Sequence, residues 1–114
     1  MADEALELLQ GTLDVLILRT LAGEPMHGYG IAEWIRRRTD GTLAVQDAAL
    51  YQALRRLEGK GWVSAEWGIT ENNRRARYYS LTGDGRARLG RETADWRRYA
   101  EAVFKVLQPL PGEG

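Results

Sequence analysis

Between Thr82 and Pro109 runs a proline-free stretch in which Leu89, Trp96 and Val103 fall seven apart, with Tyr99, Val106 and Leu107 beside them. That spacing draws one apolar stripe along a single helix for about three heptads. Thr82 supplies a capping hydroxyl and Pro109 and Pro111 a stop, so a helix is predicted from about 83 to 107. At about 1.5 Å per residue it reaches roughly 37 Å, more than a domain made from the rest of the chain can cover. The far half is therefore expected to pack against a second copy. In that isologous homodimer the contacts are Leu8, Leu89, Trp96, Tyr99, Val103 and Leu107, with Leu6 and Leu9 near the acidic amino terminus placed to join the seam.

Upstream, the apolar period changes. From Leu6 to Leu21 it is three and four, and Gly11-Thr12 divides off a weak first turn or a separate segment before a stronger helix at about 12–22. Gly23 and Pro25 end that helix. A second is predicted from His27 or Gly28 to about Arg38, burying Ile31, Trp34 and Ile35 and closing at Thr39-Asp40-Gly41. Gln46 or Asp47 is placed to cap a third, running to about Gly59, through a side-chain acceptor. Trp62 to Ile69 then alternates as a strand, Asn72-Asn73 suit positive-φ turn positions, and Ala76 to Leu81 resume a strand, which makes a β-hairpin. The expected fold is mainly α with a small β-hairpin: a winged helix-turn-helix over 1–81, a long dimerisation helix over 82–108 and a flexible tail over 109–114.

Charge is balanced in total and uneven along the chain. Sixteen Lys+Arg meet sixteen Asp+Glu in 114 residues, yet residues 1–24 hold one arginine against five carboxylates. Residues 25–90 hold eleven Lys/Arg against seven Asp/Glu, with arginines at 36–38 and again at 74, 75 and 77. The absence of cysteine removes disulfides, cysteine zinc sites and thiol nucleophiles. His27 is the single histidine, so a catalytic triad or histidine metal cluster has nothing else to draw on, and its expected role is packing or a contact to DNA backbone. Gly28-Tyr29-Gly30 lacks the third glycine and preceding strand of a dinucleotide fingerprint. Leu13 to Ala22, the most apolar run, contains Asp14, expected to face water, and Arg19; neither a membrane span nor a signal peptide is expected. The reading is a cytoplasmic, non-enzymatic protein without cofactor or metal.

On the third helix, steps of about 100° put Leu50, Ala53, Leu54 and Leu57 on one side. Tyr51, Gln52, Arg55 and Arg56 fall opposite, bordered by Ala48. Gln pairs with adenine, Arg with guanine, and a small residue admits close backbone approach, so this face suits base edges of double-stranded DNA. An ordinary wet helix face carries the same residue types. The hairpin tip, Glu71 to Arg77, adds Asn73, Arg74, Arg75 and Arg77, donors suited to phosphates or a minor groove, or to a solvated turn.

Four segments carry a resemblance: Leu9-Gln10-Gly11-Thr12-Leu13, Pro25-Met26-His27-Gly28-Tyr29, Leu50-Tyr51-Gln52-Ala53-Leu54-Arg55-Arg56-Leu57-Glu58-Gly59-Lys60-Gly61 and Arg75-Ala76-Arg77-Tyr78-Tyr79-Ser80-Leu81-Thr82. In order and spacing, over about residues 8–107, they resemble the PadR family of bacterial transcriptional regulators, in its smaller subfamily with one dimerising carboxy-terminal helix. The resemblance implies a homodimeric repressor on a pseudo-palindromic operator, with Tyr51, Gln52 and Arg55 toward the groove and Arg74, Arg75 and Arg77 on backbone. It also implies a small aromatic or cationic effector between paired Trp96 residues, with Asp95 favouring cations; a plain packing anchor is the other reading of Trp96. The chain departs from the family pattern in having Ala48-Ala49 where a hydroxyl is common and Gln52 where proline is, so the family's operator does not transfer. The competing class is a winged-helix protein-interaction module without DNA binding, using the third helix or the wing, which would more often expose apolar residues where this chain has Gln52 and Arg55 and the Arg74, Arg75 and Arg77 wing.

Overall fold

In the computed structural model residues 5–9 and 11–113 are described. Asp3 and Glu4 of the acidic amino-terminal stretch, Gln10 of the first motif and Gly114 of the tail lie outside the described residues. The elements are α1 (Thr12–Gly23), β1 (Met26–His27), α2 (Gly28–Arg38), α3 (Asp47–Gly59), β2 (Val63–Ile69), β3 (Arg75–Leu81) and α4 (Gly83–Leu107). Each predicted helix is present within a residue or so of its expected ends. The three- and four-residue periods bring Ile17, Leu18 and Leu21 of α1, Ile31 and Ile35 of α2, and Leu50, Leu54 and Leu57 of α3 into one core, which Val63 and Tyr79 close from the sheet. Thr20, buried within it, donates its hydroxyl proton to the Leu16 carbonyl at 2.8 Å.

Three expectations are corrected, and of the two alternatives for the residues ahead of Gly11 the structure takes the separate segment. The hairpin has a third strand: Met26 and His27 pair antiparallel with Tyr79 and Tyr78, so the sheet order is β1-β3-β2. Two residues are too few for alternation to show. Residues 5–9 are not helical; the Leu6 N–H donates to the Thr42 carbonyl at 2.6 Å, and Leu6 bridges Leu43. Gln46 occupies the N-cap position of α3 but makes no side-chain capping bond. Asp14 is not turned to water: it pairs with Arg56 at 2.7 Å, tying α1 to α3.

The turn from α3 to β2 and the start of α4 form one joint. Gly61 leaves the helix at φ 78°, a conformation that favours glycine. The Thr82 N–H donates to the Trp62 carbonyl at 3.1 Å, and the Thr82 hydroxyl donates to the Gly61 carbonyl at 2.7 Å. The same hydroxyl oxygen accepts from the Gly85 N–H at 3.0 Å, capping α4. The Lys60 ammonium and the Arg88 guanidinium each lie over the Trp62 ring, 4.8 Å from its centre.

From there α4 runs past α1 and out beyond the core. The described chain measures 60 × 37 × 21 Å, with a radius of gyration of 16.6 Å, against roughly 13 Å for a compact chain of this length. Leu89, expected in an intersubunit seam, is half-buried against the protomer's own core, because it sits on the part of α4 that still overlies the core.

A methyl group at Gly85 would collide with the Trp62 carbonyl oxygen, whereas one at Gly90 meets open space. Gly85→Ala should therefore destabilise by about 1–3 kcal/mol and Gly90→Ala should stabilise by about 0.5–1 kcal/mol, measured by urea unfolding; equal effects would remove the joint from the account. Burial also pushes the Tyr79 phenol above its ordinary value, with Arg77 pulling the other way. Its contribution to stability is complete below the unfolded value near about pH 10 and is lost as pH rises through the folded value. Tyr79→Phe should flatten that alkaline loss.

Candidate nucleic-acid interface

The buried side of α3 is Leu50, Ala53, Leu54 and Leu57, which leaves Ala48, Tyr51, Gln52, Arg55 and Arg56 exposed on the other. These five differ in what holds them. Arg56 is tethered to Asp14, so its guanidinium is turned toward α1. Tyr51 leans on the start of α2, its ring and hydroxyl against Gly28, where a side chain would have to displace that ring. Among the described residues Gln52 and Arg55 have no side-chain partner, and their donors project from the helix unspent.

The wing is braced on both faces. On one, Gly68 leaves room for the Tyr78 ring, whose hydroxyl donates to the Ile69 carbonyl at 3.3 Å, and the His27 ring meets Tyr78 edge-on at 5.4 Å. On the other, Arg77 reaches back to Glu58 of α3 at 2.9 Å, which fixes the wing's distance from that helix. The tip is a tight loop: the Thr70 N–H donates to the Arg74 carbonyl at 2.8 Å, and of the two asparagines expected at positive φ only Asn73 takes it, at 61°. Asn73, Arg74 and Arg75 are exposed. Arg75 lies 4.7 Å over the centre of the Trp67 ring. Of the three wing arginines placed by sequence at the DNA, Arg77 is thus paired within the protomer, since strand alternation points it at the end of α3.

Between α2 and the wing lies an open cleft of about 1460 Å³, with Tyr51 in its lining and Arg37, Arg38, Arg74, Arg75 and Arg77 outnumbering Glu24, Glu33 and Glu71. At its rim His27 caps α2: its Nδ1 accepts from the Gly30 N–H at 3.0 Å, which leaves Tyr29 exposed beside the helix start. Expected only to pack or touch DNA, His27 is thus a structural cap. A side-chain acceptor just ahead of Gly-Tyr-Gly is the signal that could have found it. The Arg36–Arg38 run is largely answered locally. Hydrogen bonding from Arg36 holds the Glu33 carboxyl below its ordinary range, Arg37 lies 3.4 Å from the same carboxylate, and Arg38 lies over Trp34.

On α4, Trp96, Tyr99, Val103 and Leu107 share one face about 80° wide, and all are exposed, with Trp96 and Tyr99 edge-to-face at 6.4 Å. Phe104, 69% exposed at the edge of this face, extends the apolar surface and was not in the predicted seam. Asp95 lies a quarter-turn from Trp96, 4.0 Å from Arg98. Leu8 is half-buried beside the anchored strand segment at Leu6. Among the described residues no helix is long and apolar enough to cross a membrane, and no group of three His, Cys, Asp or Glu is placed to hold a metal.

Comparison with known proteins bears on this arrangement directly. The model of the transcriptional regulator PadR-like family matches residues 17–91, from the core of α1 into α4. The uncharacterised protein X of Lysinibacillus sphaericus is 30% identical over 104 residues, 91% of this chain and 95% of that protein. Among solved structures, a transcriptional regulator from Clostridium thermocellum superposes with a TM-score of 0.76 at 29% identity, over 84% of this chain and 90% of the other. A PadR family transcription regulator from Clostridium difficile does so with 0.73 at 27% identity, over 85% and 99%. Helices, wing and long last helix recur in the fold they share, and the chain belongs to the PadR-like family of transcriptional regulators.

Proposed function

We propose that the protein is a cytoplasmic, sequence-specific DNA-binding repressor that acts as a homodimer on a pseudo-palindromic operator. The observation that carries this reading is the division of α3, with one side wholly in the core and Gln52 and Arg55 unpartnered on the other. Those two side chains have the donor geometry for adenine and guanine edges in a major groove. Ala48 lets the helix approach. Tyr51, Arg56, Asn73, Arg74, Arg75 and Arg77 contribute around that readout, with Arg56 and Arg77 acting chiefly by holding α3 and the wing in place. Residues 1–81 form the DNA-binding region, and the helix over 82–108 carries dimerisation. Trp96, Tyr99, Val103 and Leu107 meet their copies across the two-fold axis, with Leu89 and Leu8 at the margin of the contact, and residues 109–114 form a flexible tail.

A small planar aromatic, preferably cationic, compound would then relieve repression by inserting between the paired Trp96 rings, with Asp95 at the edge of the site. It acts by stabilising a dimer whose two α3 helices are wrongly spaced for the operator, a shift in population rather than a blocked groove. Nothing in this scheme calls for catalysis.

Selection of duplexes from a random pool should recover an inverted repeat with half-sites about one helical turn apart; no motif, with binding gone by about 0.2 M salt, would favour a protein-interaction module. Arg55→Ala should lose about 1–3 kcal/mol on the selected site and relax its sequence, while Arg74→Ala should weaken all sequences alike and lower the salt slope by about one. Equal losses on selected and random DNA for both would refute that division. Trp96→Ala should abolish fluorescence quenching by a phenanthridinium dye while the dimer persists by sedimentation. A monomer would make Trp96 a packing anchor instead.

A further inference from the structure

Strand register puts Val63, Ala65, Trp67 and Ile69 on one face of the wing, opposite Leu81, Tyr79, Arg77 and Arg75. At the root this face is core, with Val63 and Tyr79 buried, but at the tip it outruns the core. Trp67 is 61% and Ile69 60% exposed there. The cross-strand partner of Trp67 is Arg77, which is bent back to Glu58. The diagonal neighbour, Arg75, instead lays its guanidinium on the indole at 4.7 Å from the ring centre. One wing arginine is thus spent on holding the wing, and the next is held extended along its apolar edge.

We propose that Trp67 is a positioning residue that presents Arg75 to the minor groove of duplex DNA, giving the protein a preference for A·T pairs beside the site read by α3. The proposal rests on the DNA-binding reading above and adds to it a second, shape-dependent source of specificity. The narrow minor groove of A·T tracts concentrates negative potential, which favours a guanidinium over a strongly hydrated ammonium. Stacking on an indole removes part of the side chain's freedom and hydration before binding, so less is lost on entering the groove. Ile69, next on the same face, supplies apolar contact to the sugar edges in the way minor-groove proteins use aliphatic side chains. The surroundings fit a polyanion better than an apolar partner: two apolar residues stand among Asn72, Asn73, Arg74 and Arg75, with Glu71 the one carboxylate of the tip, which is too small and too polar for an apolar docking patch.

The test needs no operator. Binding of the full-length protein to short duplexes of dA·dT, dG·dC and dI·dC tract sequence is compared by fluorescence anisotropy at low salt. An I·C pair presents the major-groove pattern of G·C but lacks the guanine amino group in the minor groove, so it separates the two grooves. The wild type should bind A·T and I·C duplexes about fivefold tighter than G·C, the size of effect expected of one stacked arginine. Trp67→Ala and Arg75→Lys should both bring that ratio close to one, while Trp67→Phe, which keeps an aromatic platform, should retain most of it. Circular dichroism checks that each variant is folded, and a wing that had merely lost its structure would not be rescued by phenylalanine. Equal binding to all three duplexes by the wild type would overturn the proposal and leave the DNA-binding reading standing. So would I·C behaving as G·C, or Trp67→Ala keeping the preference. No binding to any duplex would overturn both.

Discussion

The approach of α4 to the Trp62 carbonyl, permitted by the missing side chain at Gly85, sets the direction of everything the protein presents to a partner. Thr82 bonds to both Gly61 and Trp62 and also caps α4, so the end of α3 and the start of the last helix are one rigid unit. The Trp62 ring adds cation–π contacts with Lys60 and Arg88 to that unit. In a dimer formed through α4, the distance between two copies of α3 follows from the angle fixed here. On the proposed reading, half-site spacing on DNA would follow from this joint, away from the α3 face and from the outer half of α4.

The arginines divide by the same logic. Arg56 is held by Asp14, Arg77 by Glu58, Arg36 and Arg37 by Glu33, and Arg88 by Glu92. These are partly exposed pairs, and such pairs add little to stability. Their effect is placement: Asp14–Arg56 ties α3 to α1, and Glu58–Arg77 ties the wing to α3. Gln52, Arg55 and Arg74 have no such side-chain tether among the described residues, and Arg75 rests on an aromatic ring that leaves its charge uncompensated. A zero net charge thus coexists with a locally basic face, because most of the carboxylates that balance the total sit on the framework or in the acidic start of the chain, with Asp47 and Glu71 among the acidic residues on the α3 and wing end.

The two ends of the molecule have opposite surface chemistry for opposite reasons. The α3 and wing end keeps polar donors on an apolar foundation, which suits an electrostatic, salt-sensitive partner. The outer half of α4 exposes Trp96, Tyr99, Val103, Phe104 and Leu107 on a helix that has left its own core, which suits burial against an apolar counterpart. One protomer cannot satisfy the second surface, and a two-fold copy offers a matching one.

Element order, helix ends and the apolar face of α3 were legible in the sequence because three- and four-residue periods, strand alternation, glycine stops and the Thr82 cap are local signals. The split of α4 was legible in part. Length alone requires an uncovered half, but a heptad pattern does not say where the protomer's core stops, so the partial burial of Leu89 against that core was not legible. The third strand, the tether of Asp14 to Arg56, the return of Arg77 to Glu58 and the His27 cap were not legible, apart from the hint of an acceptor ahead of α2. Trp67 and Ile69 share their alternation with the buried Val63, and only the position of the core distinguishes them. The sequence by itself determined which residues are helical or extended and which faces are apolar, since those depend on neighbours within a few positions. The tertiary structure alone decided that Arg56 and Arg77 are held, because their partners Asp14 and Glu58 are brought together with them from 42 and 19 positions away, whereas the pairs of Arg36, Arg37 and Arg88 are local to one helix.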